Sequence, residues 1–361
     1  MIDRILLAPY YLALKTRHAL YDCGIRKTHA AGIPAISIGN VTVGGTGKTP
    51  HTEMLIRLLS GSEAWKGKHL AVLSRGYRRK SRGFQQVSDE KAGRHAPAAF
   101  YGDEPLQIKR KFPETAVAVD RDRVEGCNIL AGKQQAEGDC SGDKAADLVI
   151  LDDAFQYRRL KADLDIVLMN YGRPVYRDHL LPLGRLRDLP RRISEADIVI
   201  VTKCPAYLDE WRQGNIAENL GFKGDIFFTR TSYDPMIPVF PDGDQRYVHA
   251  QRLILFSGIA DDRQMMKYLS DTYRIVRHLK FPDHHRFSAA DIRKIVRAAE
   301  KYPTAIIVTT EKDSQRILDC PDIPSSLKER LFCLPIRADF LSPEDRERFM
   351  SVLDRHIGTR K

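Results

Sequence analysis

The sequence has little that would hold a structural metal, cross a membrane or read nucleic acid. Its six cysteines are scattered over 361 residues, with no C-x-x-C pair and no histidines at zinc-finger spacing. A reduced chain without a structural metal site is therefore expected. The apolar stretch at residues 5–14 is about half of the roughly 20 residues that a membrane span requires. The basic segments lack interleaved aromatic residues, so we expect no nucleic-acid partner.

What the sequence does contain is an ordinary globular composition with an excess of positive charge. Hydrophobic residues make up 43% and charged residues 29% of the chain. Its length allows one large or two medium domains. Lys and Arg total 58 against 47 Asp and Glu, a formal net charge of +11. By itself this charge favours nucleic acid, an anionic membrane surface or a phosphorylated substrate, and does not choose among them.

Residues 1–28 predict an amphipathic helix that has two possible positions. Apolar side chains recur there at helical spacing, at Leu6, Leu7, Tyr10, Tyr11 and Leu14. Such a helix can lie in a bilayer interface, with tyrosine at headgroup depth. It can equally pack on the adjoining domain. These residues alone do not separate the two interpretations.

Short β-branched runs alternate with helix-forming stretches along the rest of the chain. Strands are predicted at 35–38, 70–74, 116–119, 147–153, 165–170, 197–203, 253–259 and 305–313. Several lack polar alternation, as expected of parallel strands covered by helices on both faces. The pattern predicts an α/β fold. A Pro-, Gly- and Asp-rich stretch further predicts a main domain at 29–230, a linker at 231–250 and a smaller α/β domain at 251–361.

The segment GNVTVGGTGKTP at 39–50 predicts a phosphate-binding loop. In the strict pattern G-x-x-x-x-G-K-[ST], the first glycine would stand where this chain has Thr42. The context nevertheless fits, because a predicted strand precedes the glycines and a helix-compatible stretch follows them. Backbone N–H groups of such a loop bind phosphate oxygens at the helix N-terminus. Lys48 would then reach the β- and γ-phosphates, and the Thr49 hydroxyl would bind Mg²⁺.

A pair of carboxylates supports this interpretation. The predicted strand at 147–153 ends in Asp152 and Asp153, in the manner of a Walker-B carboxylate that reaches Mg²⁺ from a neighbouring strand. Aspartates also commonly cap strands. Combined with GGTGKT, however, the pair makes a nucleoside-triphosphate site the favoured interpretation.

Candidate acid–base residues lie in the segments GDEP and FPDHHRF. Asp103 precedes a predicted helix, where it could orient an attacking hydroxyl and accept its proton. An ordinary helix N-cap is the alternative. Asp283, His284 and His285 could be metal ligands, a base that assists a carboxylate, or surface residues. A histidine beside Asp103 would require the second domain to close on the first.

Basic clusters occur at 74–80, 119–126 and 180–192, after predicted strands or in loops. Parallel sheets bind ligands at such positions, and arginine there can hold a phosphate through two hydrogen bonds. Arginines that only solvate the surface are the alternative for each cluster.

Seven motifs together resemble the tetraacyldisaccharide 4′-kinase family, the lipid A 4′-kinases of Gram-negative bacteria. They are GNVTVGGTGKTP, SRGY, GDEP, VILDDAFQ, LLPLGRLR, FPDHH and TTEKD, in this order over nearly the whole chain. The resemblance implies a P-loop NTPase-like domain joined to a smaller C-terminal α/β domain. It implies transfer of the γ-phosphoryl group of ATP, with Mg²⁺, to the 4′-hydroxyl of a tetraacyldisaccharide 1-phosphate, giving lipid IVA. It also implies peripheral attachment to the cytoplasmic face of the inner membrane, against anionic lipid headgroups.

The resemblance further implies roles for individual residues. Nucleotide binding would involve Gly44, Gly45, Thr46, Gly47, Lys48 and Thr49. Metal binding would involve Thr49, Glu104, Asp152 and Asp153. Catalysis would involve Lys48 together with Asp103 as base, assisted by His284. Substrate binding would involve Arg75, Arg123, Gln156 and Arg187.

The chain departs from the family pattern in one place. The usual stretch DDGFQH reads DDAFQY here, so that Ala154 replaces glycine and Tyr157 replaces histidine. The alanine matters if that position needs a positive φ. Tyrosine cannot carry positive charge near neutral pH, although its hydroxyl still donates a hydrogen bond.

The main alternative is a P-loop GTPase or ATPase that acts as a switch or a metallochaperone, with DHH as a metal site. A guanine-specificity loop would favour it, but VTKC at 201–204 lacks the terminal aspartate of the N/T-K-x-D pattern. In TTEKD the Lys312–Asp313 spacing is wrong for that pattern. A membrane-surface binder without catalysis is a third class, and the P-loop with its aspartate pair argues against it.

Overall fold

The computed structural model describes residues 2–89, 97–135 and 144–357, with side chains from residue 7 onward. Met1 of the predicted N-terminal region and residues 358–361 of the predicted small domain lie outside the described part. The helices are α1 Ile2–Asp22, α2 Lys48–Ser60, α3 Pro97–Tyr101, α4 Asp103–Lys111, α5 Arg123–Leu130, α6 Glu210–Leu220, α7 Arg263–Ser270, α8 Ala289–Lys301, α9 Glu311–Leu318, α10 Ser325–Lys328 and α11 Pro343–Ile357.

The strands include each of the eight predicted ones and add others. They are β1 His29–Ala30, β2 Ala35–Gly39, β3 Leu70–Ser74, β4 Gln85–Gln86, β5 Ala116–Val119, β6 Leu148–Asp152, β7 Leu160–Lys161, β8 Leu164–Asn170, β9 Ile198–Thr202, β10 Asp225–Tyr233, β11 Ile237–Pro238, β12 Arg252–Ser257, β13 Arg274–Lys280, β14 Ile306–Thr310, β15 Leu331–Leu334 and β16 Ile336–Phe340.

Nine strands form the large sheet, in the order β16-β10-β9-β8-β2-β6-β3-β5-β4. The seven strands from β10 to β5 run parallel, and the edge strands β16 and β4 are antiparallel. Every residue of β2, β3, β6 and β9 is buried, because apolar clusters lie on both faces of the sheet. The predicted parallel α/β sheet is therefore present.

A second sheet of five strands lies C-terminal to the first, in the order β11-β15-β14-β12-β13. Its strands are parallel except for the short edge strand β11. Helices α8 and α9 contribute to its core through Ile292, Ile295 and Ile317. A two-stranded pair, β1 with β7, completes the strand pairing in the described residues.

The predicted boundaries of the small domain need correction. The range 251–361 was assigned to it, but β16 pairs with β10 in the large sheet. Helix α11 follows β16 and packs there too, with the ring of Phe349 at 5.1 Å from the rings of Phe227 and Phe340. The predicted linker at 231–250 contains the end of β10 and all of β11. Strand β16 is an edge strand in which only Ala338 is buried, so its apolar signal in the sequence is weak.

Helix α1 lies against the large sheet by one face. Leu14 and His18 are buried, and His18 Nε2 lies 2.6 Å from the Asp188 carboxylate. The Tyr10 hydroxyl donates to the Arg187 carbonyl, 2.9 Å away. Among the described residues, no helix combines the length and apolar content that crossing a bilayer demands. One face of α1 is thus packed on the protein, as the second interpretation of this segment predicted.

Candidate active site

The GGTGKT segment forms a tight loop between β2 and the start of α2. Gly44, Gly45 and Gly47 all have positive φ, between 65° and 81°, which a residue with a Cβ rarely adopts. The Asn40 side chain donates to Thr46 Oγ1 at 2.5 Å and braces the loop from within. Gly47 caps α2 without a side-chain hydrogen bond, so backbone N–H groups of the first turn are left for an anion.

The aspartate pair lies next to this loop because β6 is the neighbour of β2. Ile38 pairs with Asp152, so both strands reach the same edge of the sheet together. Asp153 follows with φ 51°, a left-handed conformation that aspartate tolerates better than most residues. Lys48 Nζ lies 3.8 Å from its carboxylate. Positive φ thus falls on Asp153 and not on Ala154, which explains why alanine is accepted at the position of the family glycine.

The two carboxylates of the pair have different surroundings. Asp153 is held by Arg187, which also donates to Asn40 Oδ1 at 2.6 Å. Burial raises the pKa of Asp153, but Lys48 and Arg187 outweigh this and lower it. For Asp152, burial and the negative charges of Glu104 and Asp153 raise the pKa to about 7. Asp152 therefore lies in an excess of negative charge, whereas Asp153 is neutralised by protein cations.

Asp103 begins helix α4 and faces the second sheet. Its Oδ2 atom accepts hydrogen bonds from the guanidinium of Arg316, with Nε at 3.0 Å, and lies 3.6 Å from His284 Nδ1. Burial favours a raised pKa for Asp103, but the hydrogen bond from His284 and the charges of Lys312 and Arg316 hold it well below its usual range. His285 points elsewhere and lies 3.0 Å from Asp291. His284 is therefore the histidine of the DHH stretch that lies beside Asp103.

Helix α9 supplies site residues that the sequence interpretation did not assign. Lys312 donates to Glu104 Oε1 at 2.8 Å and lies 3.2 Å from His284 Nε2. Arg316 is anchored by Asp313, whose carboxylate lies 2.9 Å from its Nη1 atom. Lys312 lies within the TTEKD motif and Arg316 follows it, both in the helix after the carboxyl end of β14, the usual position of functional residues in a parallel sheet. That position was the available signal.

The predicted substrate arginines divide into two environments. Arg123 is buried above the ring of Tyr157, with its Nε atom lacking a hydrogen-bond partner. Burial lowers its pKa, and the charges of Asp153 and Asp152 oppose this effect. Arg75 is exposed and close enough to Arg123 to act on its pKa. The structure therefore brings Arg123 to the aspartate pair, with Arg75 further out.

Gln156 and Tyr157 serve as braces in this structure. The Gln156 side chain donates to the Asn40 backbone carbonyl, and the backbone carbonyl of Gln156 accepts from Arg17 of α1 at 2.6 Å. The Tyr157 hydroxyl donates to Asp122, the N-cap of α5, at 3.0 Å. The tyrosine that departs from the family pattern thus holds the start of the helix that carries Arg123.

Two cavities border these groups. One, of 230 Å³, adjoins the Asp103–His284 pair and is lined by Tyr77, Arg78, Ala98, Ala99, Gly102, Asp103, His284, Arg286, Phe287, Arg316, Asp319, Cys320 and Pro321. The other, of 340 Å³, adjoins the glycine loop and is lined by Thr42, Val43, Gly44, Gly45, Thr46, Asn170, Gly172, Arg173, Arg185, Lys203, Ala260, Asp261, Arg263 and Lys280. Both cavities draw on the two sheets, and the second is strongly basic, as a polyphosphate site requires.

A parallel sheet with a glycine loop, a helix N-terminus and a strand-end aspartate pair defines a P-loop phosphotransferase. Comparison with known proteins agrees. The sequence profile of the family described as Tetraacyldisaccharide-1-P 4'-kinase matches residues 4–357. A protein named Tetraacyldisaccharide 4'-kinase from Phocaeicola vulgatus is 38% identical, over 94% of this chain and 90% of its own length. One of the same name from Parabacteroides distasonis is 37% identical, over 97% and 93%.

A solved structure gives the same result for the fold. The crystal structure of LpxK from Aquifex aeolicus in complex with ATP matches with a TM-score of 0.70 and 25% identity, over 99% of this chain and 100% of that one. The chain belongs to the tetraacyldisaccharide 4′-kinase family. The predicted family, P-loop fold class and lipid A 4′-kinase activity are thereby confirmed.

Proposed function

We propose that this chain transfers the γ-phosphoryl group of ATP to the 4′-hydroxyl of tetraacyldisaccharide 1-phosphate by means of the residues described above. One observation carries the assignment: Asp103 and Glu104, neighbours in the chain, connect the buried carboxylate–histidine pair to the aspartate pair beside the glycine loop. The link between the two is Glu104, whose charge acts on Asp152 while its neighbour Asp103 faces His284. Donor and acceptor groups thus meet where the two sheets adjoin.

The nucleotide would bind with its phosphates on the glycine loop. Lys48 and the backbone N–H groups of the α2 terminus supply positive charge for the β- and γ-phosphates. Arg123 adds a buried guanidinium whose Nε atom has no protein partner. Because phosphoryl transfer spreads negative charge over the equatorial oxygens, fixed cations at this point lower the barrier. The role of Lys48 is therefore electrostatic and positional.

The donor set here fits Mg²⁺. Burial and the negative charges of Glu104 and Asp153 raise the pKa of Asp152. A divalent cation at this point would offset that excess of negative charge. Mg²⁺ in such enzymes is held by one or two carboxylates together with substrate phosphates. Asp152, the Thr49 hydroxyl and Glu104 are the groups that would hold it. A Mg²⁺ ion held by these residues would supply positive charge for the phosphate groups. Asp153 contributes mainly by holding Lys48 and Arg187 in place.

Asp103 would orient the acceptor hydroxyl and accept its proton. The carboxylate is ionised, because its lowered pKa keeps it without a proton at neutral pH. His284 Nδ1 lies 3.6 Å from Asp103 Oδ2, close enough to share that proton in the reacting complex. The imidazole of His284 would assist by taking up the proton from the Asp103 carboxyl group, which is a strong acid because its pKa is lowered.

The enzyme would act at the cytoplasmic surface of the inner membrane. Its substrate carries four acyl chains and resides in a bilayer, so the cleft must reach the headgroup level. Helix α1 leaves Leu12 exposed on the side opposite its packed face, and Tyr11 exposed beside that face. The net charge of +11 favours anionic headgroups.

The test is transfer of label from [γ-³²P]ATP to purified tetraacyldisaccharide 1-phosphate in detergent, with and without Mg²⁺. Wild type and Asp103→Ala are compared. We expect labelled lipid from the wild type with Mg²⁺, and a loss of 10²–10⁴-fold in kcat for the variant, roughly the contribution of a general base. Equal rates for both proteins would remove Asp103 as the base. ATP hydrolysis by the wild type without labelled lipid would favour a P-loop switch instead.

A further inference from the structure

Five large apolar side chains are exposed in α1, in the loop after β8, and in and just before α6. Tyr207 and Trp211 are 79% and 74% exposed, and Leu12, Tyr11 and Leu183 are 62%, 46% and 44% exposed. We call these five side chains the apolar rim. Helix α6, which carries Trp211, contains no buried residue. Exposed aromatic groups of this size on adjacent segments mark an interaction surface.

The segments that carry the apolar rim share one apolar core. Helix α1, the loop at 178–189 and the stretch at 208–220 all contribute to it. Their side chains in that core are Leu7, Tyr10, Leu14, Leu180, Leu186, Leu189, Leu208, Ile216 and Leu220. The three segments therefore pack against one apolar core on the same face of the large sheet.

Part of the apolar rim follows the carboxyl ends of strands in the large sheet, which carries the glycine loop. Tyr207 and Trp211 follow the carboxyl end of β9, and Leu183 lies in the loop after β8. That loop contacts the glycine loop directly, since the Val43 N–H donates to the Arg185 carbonyl at 2.7 Å. Carboxyl ends of parallel strands meet at one edge. Tyr207, Trp211 and Leu183 thus lie towards the end of the sheet at which the glycine loop lies.

The chemistry of this end fits a bilayer surface. Tryptophan and tyrosine concentrate at the headgroup level of membranes, because their rings are apolar with one polar atom. Arg177 is exposed in the same loop as Leu183, where it would meet a lipid phosphate, while Arg173 and Arg185 line the basic cavity beside the glycine loop. The acidic Asp209 nearby is occupied as the N-cap of α6 and by Arg212, 3.4 Å away.

We propose that Tyr207 and Trp211 form a second membrane-contact element beside α1. The proposal rests on the proposed attachment to the membrane and adds where and how the protein body touches it. A single helix would leave the body free to rotate about its anchor. A second contact at the strand ends fixes the orientation, with the cleft facing the lipid headgroups that it must reach.

The test uses the chain's own tryptophans. There are two, and Trp65 is buried at 5% exposure, so the Trp211 signal is the difference between wild type and Trp211→Phe. Vesicles of phosphatidylethanolamine and phosphatidylglycerol are added to each protein, with and without brominated acyl chains. We expect the Trp211 emission to shift to shorter wavelength and to be quenched by the brominated lipid. Trp65 emission, seen alone in Trp211→Phe, should not change.

Vesicle sedimentation gives the matched measurement of affinity. Tyr207→Ser with Trp211→Ser should weaken vesicle binding by about tenfold or more, since burying one large apolar side chain exceeds the energy of a factor of ten. Ile25→Ser is the control, because Ile25 is 71% exposed but precedes β2, at the opposite edge of the sheet. It should bind like the wild type. All variants should phosphorylate detergent-dispersed substrate normally.

The outcomes separate this proposal from the ones it depends on. Sedimentation with vesicles while Trp211 emission stays unchanged would overturn the second contact and leave α1 as the attachment. Absence of sedimentation, with normal phosphorylation in detergent, would overturn membrane attachment together with the second contact, and leave the kinase function standing. A shift of the Trp211 emission without quenching by the brominated lipid would also overturn the proposal, because the side chain would then lie against protein.

Discussion

The two halves of the active site are built in different ways. The nucleotide half comes from one continuous segment, 39–50, plus the strand-end pair of the neighbouring β6. The acceptor half joins Asp103 to Arg316, which lies 213 residues further along the chain, and to His284 between them. The first half is thus readable as a motif, whereas the second exists only when two sheets adjoin.

The halves also differ in how their charges are satisfied. In the nucleotide half, Arg123 and Arg187 each keep an Nε atom without a partner, and Asp152 is crowded by other carboxylates. In the acceptor half, Asp103 and Glu104 are both paired with cations of α9. Unsatisfied groups await a ligand, while satisfied pairs hold an interface together. In the proposed function, the unpaired groups of the nucleotide half would therefore bind phosphate and metal, whereas the paired groups of the acceptor half would hold a fixed geometry.

Lys48→Ala, which removes a cation of the nucleotide half, should reduce activity about as strongly as Asp103→Ala and more strongly than the substitutions that follow. We expect Lys48→Ala to lower kcat/KM on the order of 10²–10³-fold, the usual loss when one group that stabilises transition-state charge is removed. Lys48 is only partly buried, so the fold should persist, which circular dichroism would check. Normal label transfer by this variant would contradict the assignment of the glycine loop.

Removing a positioning residue of the acceptor half should come next. Arg316→Met leaves Asp103 and Asp313 buried without their common partner, which should lower the free energy of unfolding by about 3–5 kcal/mol. We also expect kcat to fall on the order of 10²-fold, because a small displacement of a reacting group can lower the rate by that factor. Thermal unfolding and steady-state kinetics measure the two effects. Arg316→Lys, which keeps the charge, should recover part of kcat.

A matched control separates position from stability. Lys111 also links α2 to α9, since its Nζ atom lies 2.8 Å from Glu53 and 2.8 Å from Glu311, away from the Asp103–His284 pair. Lys111→Met should therefore destabilise the protein about as much as Arg316→Met, since it also leaves buried carboxylates without their cation. At a temperature where both variants are folded, Lys111→Met should keep nearly normal kcat. A comparable loss of kcat in both would reduce Arg316 to a structural role.

The smallest effect is expected at the residue that departs from the family pattern. Tyr157→Phe removes the hydroxyl that donates to Asp122 and should cost about 0.5–1.5 kcal/mol of stability. The ring beneath Arg123 remains, so kcat should change little. Chemical denaturation and label transfer would measure both. A large loss of kcat with unchanged stability would instead give the hydroxyl a direct role with substrate.

Much of the large sheet was predictable because its strands are buried on both faces. The eight predicted runs are all strands, and they read as continuous apolar stretches in the sequence. Strands β10, β13 and β16 were missed, since their exposed residues interrupt the apolar pattern. The return of β16 and α11 to the large sheet was missed for a related reason. Pairing with β10 is a long-range choice made by packing against Phe227, which a local pattern does not report.

The sequence alone determined the family, the glycine loop and the aspartate pair, because phosphate binding needs particular residues at fixed local spacing. It also narrowed the acceptor base to Asp103 and one of two adjacent histidines. Tertiary structure decided that His284, at φ 59°, turns to Asp103 while His285 turns to Asp291. It also brought Lys312 and Arg316 into the site. These contacts depend on how two sheets adjoin, and that arrangement follows from burial summed over the whole chain, not from the spacing of any motif.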